Sequence, residues 1–168
     1  HEALWLLENH FDFLQLSQMP GYREGGPNIY FFSLYPSFQA VLMFFLSKQS
    51  SFLLLNHLIH IMLSCGIIYL FYEILSNRFG DRIAILGCLC LFFHPIFISQ
   101  SYAINMEIPT LFFGLAGIAS FLKKEDTKAG IFLLLSFYIK ESGLLFSLAI
   151  LPVFFYCNLS REKKANLF

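Results

Sequence analysis

A long, mostly apolar run at residues 51–75, SFLLLNHLIHIMLSCGIIYLFYEIL, constrains the fold of this chain more than any other feature. A helix needs about 20 consecutive apolar residues to cross the hydrocarbon layer of a membrane, which is about 30 Å thick. Backbone polar groups in lipid have no water to bond with, so a lone spanning segment is helical. The run therefore predicts a transmembrane helix.

Shorter apolar segments follow in the rest of the chain. The runs at 83–103 and 108–122 predict two further spanning helices, and the run at 129–158 predicts a helical hairpin. The predicted fold class is all-α, a polytopic transmembrane helix bundle with an interfacial helical segment in the first external loop. One partial transmembrane domain covers 1–168, and residues 1–50 form that loop.

The composition excludes a water-soluble globule. Only 13% of the residues are charged and 57% are hydrophobic, whereas a soluble domain has about 25% charged residues. The formal net charge is zero, so the chain has no overall basic field and no nucleic-acid partner is expected. The expected location is an integral membrane position, in a bacterial inner (cell) membrane.

The segment at 29–47 has two interpretations. Pro36, Gln39 and a cluster of aromatic side chains favour an interfacial element, while its apolar character also permits a spanning helix. The chain opens on HEALWLLENHFDF without an initial Met or a signal-peptide pattern. We interpret it as the N-terminal portion of a longer protein that lacks at least one upstream membrane segment.

Two charged residues, Lys140 and Glu141, interrupt the apolar run from 129 to 159. A single straight helix there would be about 45 Å long at 1.5 Å per residue, longer than the membrane core is thick. A charge at its centre would cost about 2.5 to 3.5 kcal/mol. Two shorter helices with KESG at their junction avoid both costs, and Ser142 and Gly143 suit a turn.

The distribution of Lys and Arg predicts the orientation. Short cytoplasmic loops are enriched in these residues, and three clusters are separated by an even number of crossings. The clusters are Arg78 and Arg82; Lys123, Lys124 and Lys128; and Arg161, Lys163 and Lys164. We expect all three to be cytoplasmic, and the connections SQSYAINMEIP and IKESG to be non-cytoplasmic.

Candidate functional residues then gather on the non-cytoplasmic face. A carboxylate can act as a general base toward an acceptor hydroxyl or amine, and Lys or Arg can bind a phosphate. Together they suit transfer from a phosphate-linked donor whose lipid tail stays in the bilayer. The candidates are His1, Glu2, Tyr22, Arg23, His94, Gln100, Asn105, Glu107, Lys140 and Glu141.

Structural explanations exist for several of these residues. Glu107 begins a helix, where a carboxylate interacts favourably with the helix dipole. Lys140 and Glu141 can pair within the turn. His57 and His60 are interpreted as packed polar residues of the 51–75 helix. No metal site is predicted, because Cys88 and Cys90 fall on different sides of a helix.

The order of four short motifs resembles the first part of the superfamily C glycosyltransferases, in particular the protein O-mannosyltransferase and lipid A aminoarabinose transferase type. HEALW at 1–5 looks like the family's Asp-Glu-Ala-x-Tyr motif, and YREGGPNIYFF at 22–32 stands where Lys-Pro-Pro-Leu leads into interfacial helices. SYAINMEIPTLFF at 101–113 and AGIFLLLSFYIKESGLL at 129–145 are similar to two later motifs.

The resemblance implies an inverting glycosyltransferase that moves a sugar from a polyprenyl-phosphate donor to a protein, lipid or glycan acceptor. It implies catalytic roles for Glu2, His1 and Glu107, and no certain cofactor beyond a candidate divalent cation. Two positions depart from the pattern: His1 stands where the family has Asp, and Gly25 stands where it has Lys. Substrate-binding roles fall on Tyr22, Arg23, Asn105, Lys140 and Glu141.

Two other classes of protein remain open on the residues alone. A transporter or flippase for a lipid-linked or anionic substrate would use Lys140 and Glu141 as a site within the membrane. A membrane scaffold would need no explanation for any single residue. An inverted repeat would favour the transporter, and none is visible in the sequence.

Overall fold

A computed structural model describes residues 34–46, 49–150 and 152, and in these ranges every regular element is helical. The all-α prediction is therefore confirmed for the described part of the chain. In order, the elements are α1 (Leu34–Phe45), α2 (Gln49–Phe79), α3 (Asp81–Phe92), α4 (Pro95–Tyr102), α5 (Glu107–Leu122), α6 (Asp126–Ile139), a 3₁₀ turn (Glu141–Gly143) and α7 (144–150).

Helix α2 is the longest element, and its stretch Ser51–Phe79 is long and apolar enough to cross a membrane by itself. Large apolar side chains such as Leu54, Leu58 and Met62 are exposed on its surface, as expected for a helix that contacts lipid. The helix extends past the predicted end and stops at Gly80, whose φ of 83° favours glycine. Gly80 is also the N-cap residue of α3.

The segment predicted as a second span is bent. Helices α3 and α4 meet at 62° across a short break, and together they are long and apolar enough to cross. Pro95 is the first residue of α4, where its missing N–H and fixed φ are tolerated. The bend therefore lies where Pro95 begins a new helix.

Helices α5 and α6 pack closely in opposite directions. Ser136 donates a hydrogen bond of 2.9 Å to the Thr110 carbonyl near one end of the pair. Near the other end, Gly117 leaves room for Leu133 and the Ala129 backbone, since a Cβ there would lie 2.8 Å from the Leu133 Cγ. Small residues allow such close approach between helices that lipid surrounds.

Helix α2 runs parallel to α5. The ring of Phe112 packs directly against Gly66, where a Cβ would lie only 2.6 Å from a ring carbon. Ile67 and Ile108 are buried together in one apolar cluster. At the far end, Glu73 and Lys123 form an ion pair at 2.5 Å. The hydrogen bond to Glu73 raises the pKa of Lys123 above its usual value.

The apolar run after residue 128 breaks at the predicted place. Helix α6 ends at Ile139, Lys140 has an extended backbone with φ −154° and ψ 141°, and the 3₁₀ turn follows. The chain then reverses direction. The reversal is shown by the ring of Phe146 in α7, which packs against Gly114 in the middle of α5. Lys140 is consequently placed at one end of the α5–α6 pair.

Helix α1 lies within the 29–47 segment and is about 18 Å long at 1.5 Å per residue, too short to cross a membrane alone. Tyr35 and Ala40 are buried against the other helices, whereas Phe44 and Phe45 are exposed. The interfacial placement of this segment remains a prediction.

Candidate functional site

The two charged residues of opposite sign at one end of the α5–α6 pair contact each other. The Lys140 ammonium donates a hydrogen bond to the Glu107 carboxylate, 33 positions away in the sequence. The exposed fractions of the two side chains are 34% and 41%. The pair is therefore fixed by the fold yet still reachable from outside the protein.

Each member of this pair also sits at a favourable helix terminus. Glu107 is the first residue of α5, whose N-cap residue Met106 makes no side-chain capping bond. Lys140 is the C-cap residue of α6. Helix dipoles favour an anion at an N-terminus and a cation at a C-terminus. The dipole explanation of Glu107 and a chemical role are therefore compatible.

A buried polar layer lies directly beside the pair. His60, in the middle of α2, is fully buried. Its Nε2 is 2.9 Å from the Tyr35 hydroxyl and 3.1 Å from the Asn105 carbonyl, and its Nδ1 is 2.9 Å from the Asn56 carbonyl. Asn105 in turn donates to the Gln100 side chain at 2.6 Å. The layer connects α1, α2 and α4 to the residues just before Glu107.

Three atoms of this layer have no hydrogen-bond partner among the described residues. They are both side-chain polar atoms of Asn56 and the side-chain oxygen of Asn105. Leaving a buried polar group unpaired costs about 1 to 3 kcal/mol.

An apolar groove of about 510 Å³ opens next to the pair. Ile139 and Pro109, which line it, lie one and two positions from Lys140 and Glu107 in the sequence. The other lining residues come mainly from α1 and α2: Leu34, Tyr35, Ser37, Phe38, Val41, Ile59, Leu63 and Phe113. Its surface suits a hydrocarbon chain better than a polar ligand.

The opposite end of the helices has a different character. A cavity of about 230 Å³ is lined there by Glu73, Asn77, Arg78 and Lys123. Two of the predicted cytoplasmic basic clusters, around Arg78 and around Lys123, thus share one end. The predicted functional residues Asn105, Glu107 and Lys140 share the other end.

Several sequence candidates lie outside the described residues. His1, Glu2, Tyr22 and Arg23 are among them, and the side chain of Glu141 is not described either. His94 is described and is the N-cap residue of α4, without a side-chain capping bond. Within the ranges 34–46 and 49–150, no three His, Cys, Asp or Glu residues come together in a way that could hold a metal ion.

Sequence reasoning missed the participation of Tyr35, Asn56 and His60. The signal was present, because Asn56 and His60 are polar residues one helical turn apart on the longest apolar helix. Polar residues within such a helix usually face the protein interior. His60 was correctly interpreted as a packed polar residue, whereas the same interpretation of His57 was wrong, because His57 is exposed. The contact of His60 with the residue two positions before Glu107 required the fold.

Comparison with known families identifies a match. The profile described as dolichyl-phosphate-mannose-protein mannosyltransferase matches residues 54–157, which is more than half of the chain. The matched region includes Glu107 and Lys140, and also Asn56 and His60 of the buried polar layer. No curated protein and no solved structure matches the chain at a significant level.

Proposed function

Because the chain belongs to the dolichyl-phosphate-mannose-protein mannosyltransferase family, we propose that it transfers mannose from a polyprenyl-phosphate donor to a protein hydroxyl at the non-cytoplasmic face. The coarser statement, that it is a membrane glycosyltransferase, follows directly from family membership. The donor, the acceptor, the inverting course and the polytopic arrangement are parts of the proposal. Family membership also favours a transferase over the transporter alternative.

The chemistry is a single displacement at the anomeric carbon. The acceptor oxygen forms a bond to this carbon as the bond from the carbon to the phosphate oxygen breaks. The acceptor proton passes to a carboxylate or imidazole base, and polyprenyl phosphate leaves with one more negative charge than it had in the donor. Groups that stabilise this developing charge accelerate the reaction.

Lys140 is the proposed phosphate contact. A lysine near a phosphate acts as a point charge, and its effect grows as the leaving group becomes more negative. Glu107 fixes the ammonium group through their hydrogen bond and can accept a hydrogen bond from the acceptor or the sugar. Asn105, two positions earlier, is proposed to contact substrate.

The proposed base lies in the first external loop. Glu2 and His1 are the candidates, as the family resemblance implies, and Tyr22, Arg23 and Glu141 are proposed to bind substrate. A divalent cation is retained only as a candidate cofactor.

The observation that carries the proposal is the Glu107–Lys140 pair beside the apolar groove. A polyprenyl-phosphate sugar combines an anionic group with a long hydrocarbon chain. Lys140 directly follows Ile139, which lines the groove, and we propose that one donor molecule contacts both. Two helix termini and an ion pair hold the charged groups in place before the substrate binds, which is the arrangement expected of preorganised catalysis.

The proposal predicts donor-dependent labelling of an acceptor. The purified full-length protein in detergent micelles is given β-linked dolichyl phosphate [¹⁴C]mannose and a peptide rich in Ser and Thr. We expect label in the peptide, released by an α-mannosidase and not by a β-mannosidase, since the displacement inverts the anomeric carbon. Label that remains entirely on the lipid at saturating peptide would contradict the proposal.

A transporter would give a different result in the same preparation. In proteoliposomes it would move the labelled lipid between leaflets without breaking the bond between mannose and phosphate. We expect cleavage of that bond to require both the protein and the peptide. Movement of intact donor without any cleavage would favour the transporter.

A further inference from the structure

His60 is a buried polar residue that the transfer chemistry does not use. We propose that His60 is a positioning residue, which holds the connection between α4 and α5 so that Glu107 faces Lys140. The reaction carried out at this site rests on the proposed function. The contact between His60 and this connection is a feature of the fold and does not depend on that function. The two can therefore be tested separately.

The position of His60 is costly. It is fully buried in the middle of α2, the helix with the strongest membrane-spanning character. Its neighbour one turn earlier, Asn56, is also fully buried and has no side-chain partner among the described residues. Apolar residues at both positions would avoid the cost of burying polar groups. A role in the site explains why polar residues occupy them.

The connection over 103–106 is the part of the site with the least regular structure. It contains no helix of its own, and Ala103 has an extended backbone where α4 ends. Asn105 is held from two sides, by its side-chain bond to Gln100 and by the contact of its carbonyl with His60 Nε2 at 3.1 Å. Glu107 follows two residues later, so the position of Asn105 determines where α5 begins.

His60 also links this connection to α1. Its Nε2 is 2.9 Å from the hydroxyl of Tyr35, which is buried and which lines the apolar groove. One imidazole nitrogen thus lies between the groove wall and the backbone that leads to Glu107. Removing this nitrogen removes both contacts. The contacts between α5 and α6 described above do not involve His60.

The role of this nitrogen can be tested with isosteric side chains. The amide of Gln reaches about as far as imidazole Nε2, whereas the amide of Asn reaches only about as far as Nδ1. Because a carbonyl can only accept, we assign the proton of neutral His60 to Nε2, which then donates to the Asn105 carbonyl. The NH₂ group of Gln can donate from the same place, so His60→Gln should keep this bond. His60→Asn and His60→Leu should lose it. If His60 only filled space, the His60→Gln and His60→Leu variants would behave alike.

The experiment is zero-length cross-linking of the full-length protein in detergent micelles with a water-soluble carbodiimide. This reagent joins a carboxylate and an amine that are already in contact as an amide, with loss of water. Mass spectrometry of peptides measures the Glu107–Lys140 amide. The Glu73–Lys123 pair, at 2.5 Å between α2 and the end of α5, is the internal reference for correct packing.

We expect the Glu107–Lys140 cross-link to form in the wild-type protein and in His60→Gln. In His60→Leu and His60→Asn it should fall about fivefold relative to the reference pair, as expected for the loss of one hydrogen bond. Equal cross-linking in all four proteins would overturn the proposal. A variant that loses both the Glu107–Lys140 and the Glu73–Lys123 cross-link is misfolded. If His60→Leu misfolds in this way, the comparison of His60→Gln with His60→Asn decides whether the position of the nitrogen matters.

The readout needs no donor and no acceptor. A wild-type cross-link that depends on His60, in a protein without transfer activity, would support the positioning role and contradict the proposed function. Transfer activity that is the same in His60→Leu and His60→Gln would support the function and contradict the positioning role.

Discussion

Glu107→Gln is expected to lower mannosyl transfer by about 100-fold or more, the size of effect seen when a group that stabilises transition-state charge or moves a proton is removed. Gln keeps the shape of the side chain but loses its charge. Lys140 then has a weaker partner and a less fixed position beside the leaving phosphate. The measurement is the initial rate of label transfer from dolichyl phosphate [¹⁴C]mannose to the peptide.

A matched variant separates this effect from a general loss of charge. Glu125 pairs with Lys128 at 3.0 Å in an exposed position at the other end of the helices. Glu125→Gln should transfer at nearly the wild-type rate, because exposed ion pairs contribute little. Both variants should elute as folded protein. Near-normal transfer by Glu107→Gln would remove this carboxylate from the mechanism.

Gly143→Ala is expected to destabilise the turn that carries Lys140. A methyl group at this position would overlap the Ser136 carbonyl and would lie 2.7 Å from the backbone nitrogen of Phe137. Both are backbone atoms of α6 and cannot rotate away. We expect a loss of about 3 kcal/mol in unfolding free energy, at the upper end of the usual cost of overpacking, measured as a lower Tm in detergent micelles.

The matched control for this variant is Gly130→Ala. Gly130 lies in α6, and a Cβ added there would meet no atom within 4 Å. Replacing a helical Gly by Ala in open space should stabilise the helix by about 0.5 to 1 kcal/mol. The two alanine variants should therefore shift Tm in opposite directions. A Tm for Gly143→Ala equal to that of the wild-type protein would show that the turn differs from the one described.

Several features of the fold were predictable because they depend on local chemistry. The existence of α2 as a long spanning helix follows from its apolar run, although the helix continues past the predicted end at residue 75 to Phe79. The bend between α3 and α4 follows from Pro95, which cannot continue a helix without losing a hydrogen bond. The break after Ile139 follows from the cost of placing two charges at the centre of a span.

The pairing of residues between helices was less predictable. In a soluble helix the apolar stripe shows which face is buried. Most side chains of α2 and α6 are apolar in every direction around the helix axis. Beyond polar residues such as Asn56 and His60, the sequence does not show which residues face the protein. The sequence placed Glu107 and Lys140 on the same side of the membrane, but their direct contact depends on the rotation of α5 and α6 about their axes.

The contact of His60 with Asn105 could not be predicted from the sequence for the same reason. It joins two positions 45 residues apart, and it depends on where the connection after α4 passes α2. The roles assigned to His1, Glu2, Tyr22 and Arg23 remain predictions, since these residues are outside the described ranges. The family match supports the reaction class on which those roles depend.

The claim that Glu107 and Lys140 form one site at the non-cytoplasmic face is tested most directly by cysteine accessibility in intact cells. The native cysteines are replaced, and single cysteines are placed at exposed positions at the two ends of the helices. Tyr102→Cys and Ser142→Cys flank the site, and Asn77→Cys and Glu125→Cys mark the opposite end. We expect an impermeant maleimide to label the first two and to label the others only after lysis. Labelling of Asn77→Cys and Glu125→Cys in intact cells, with Tyr102→Cys and Ser142→Cys protected, would place the site on the cytoplasmic side and contradict the account.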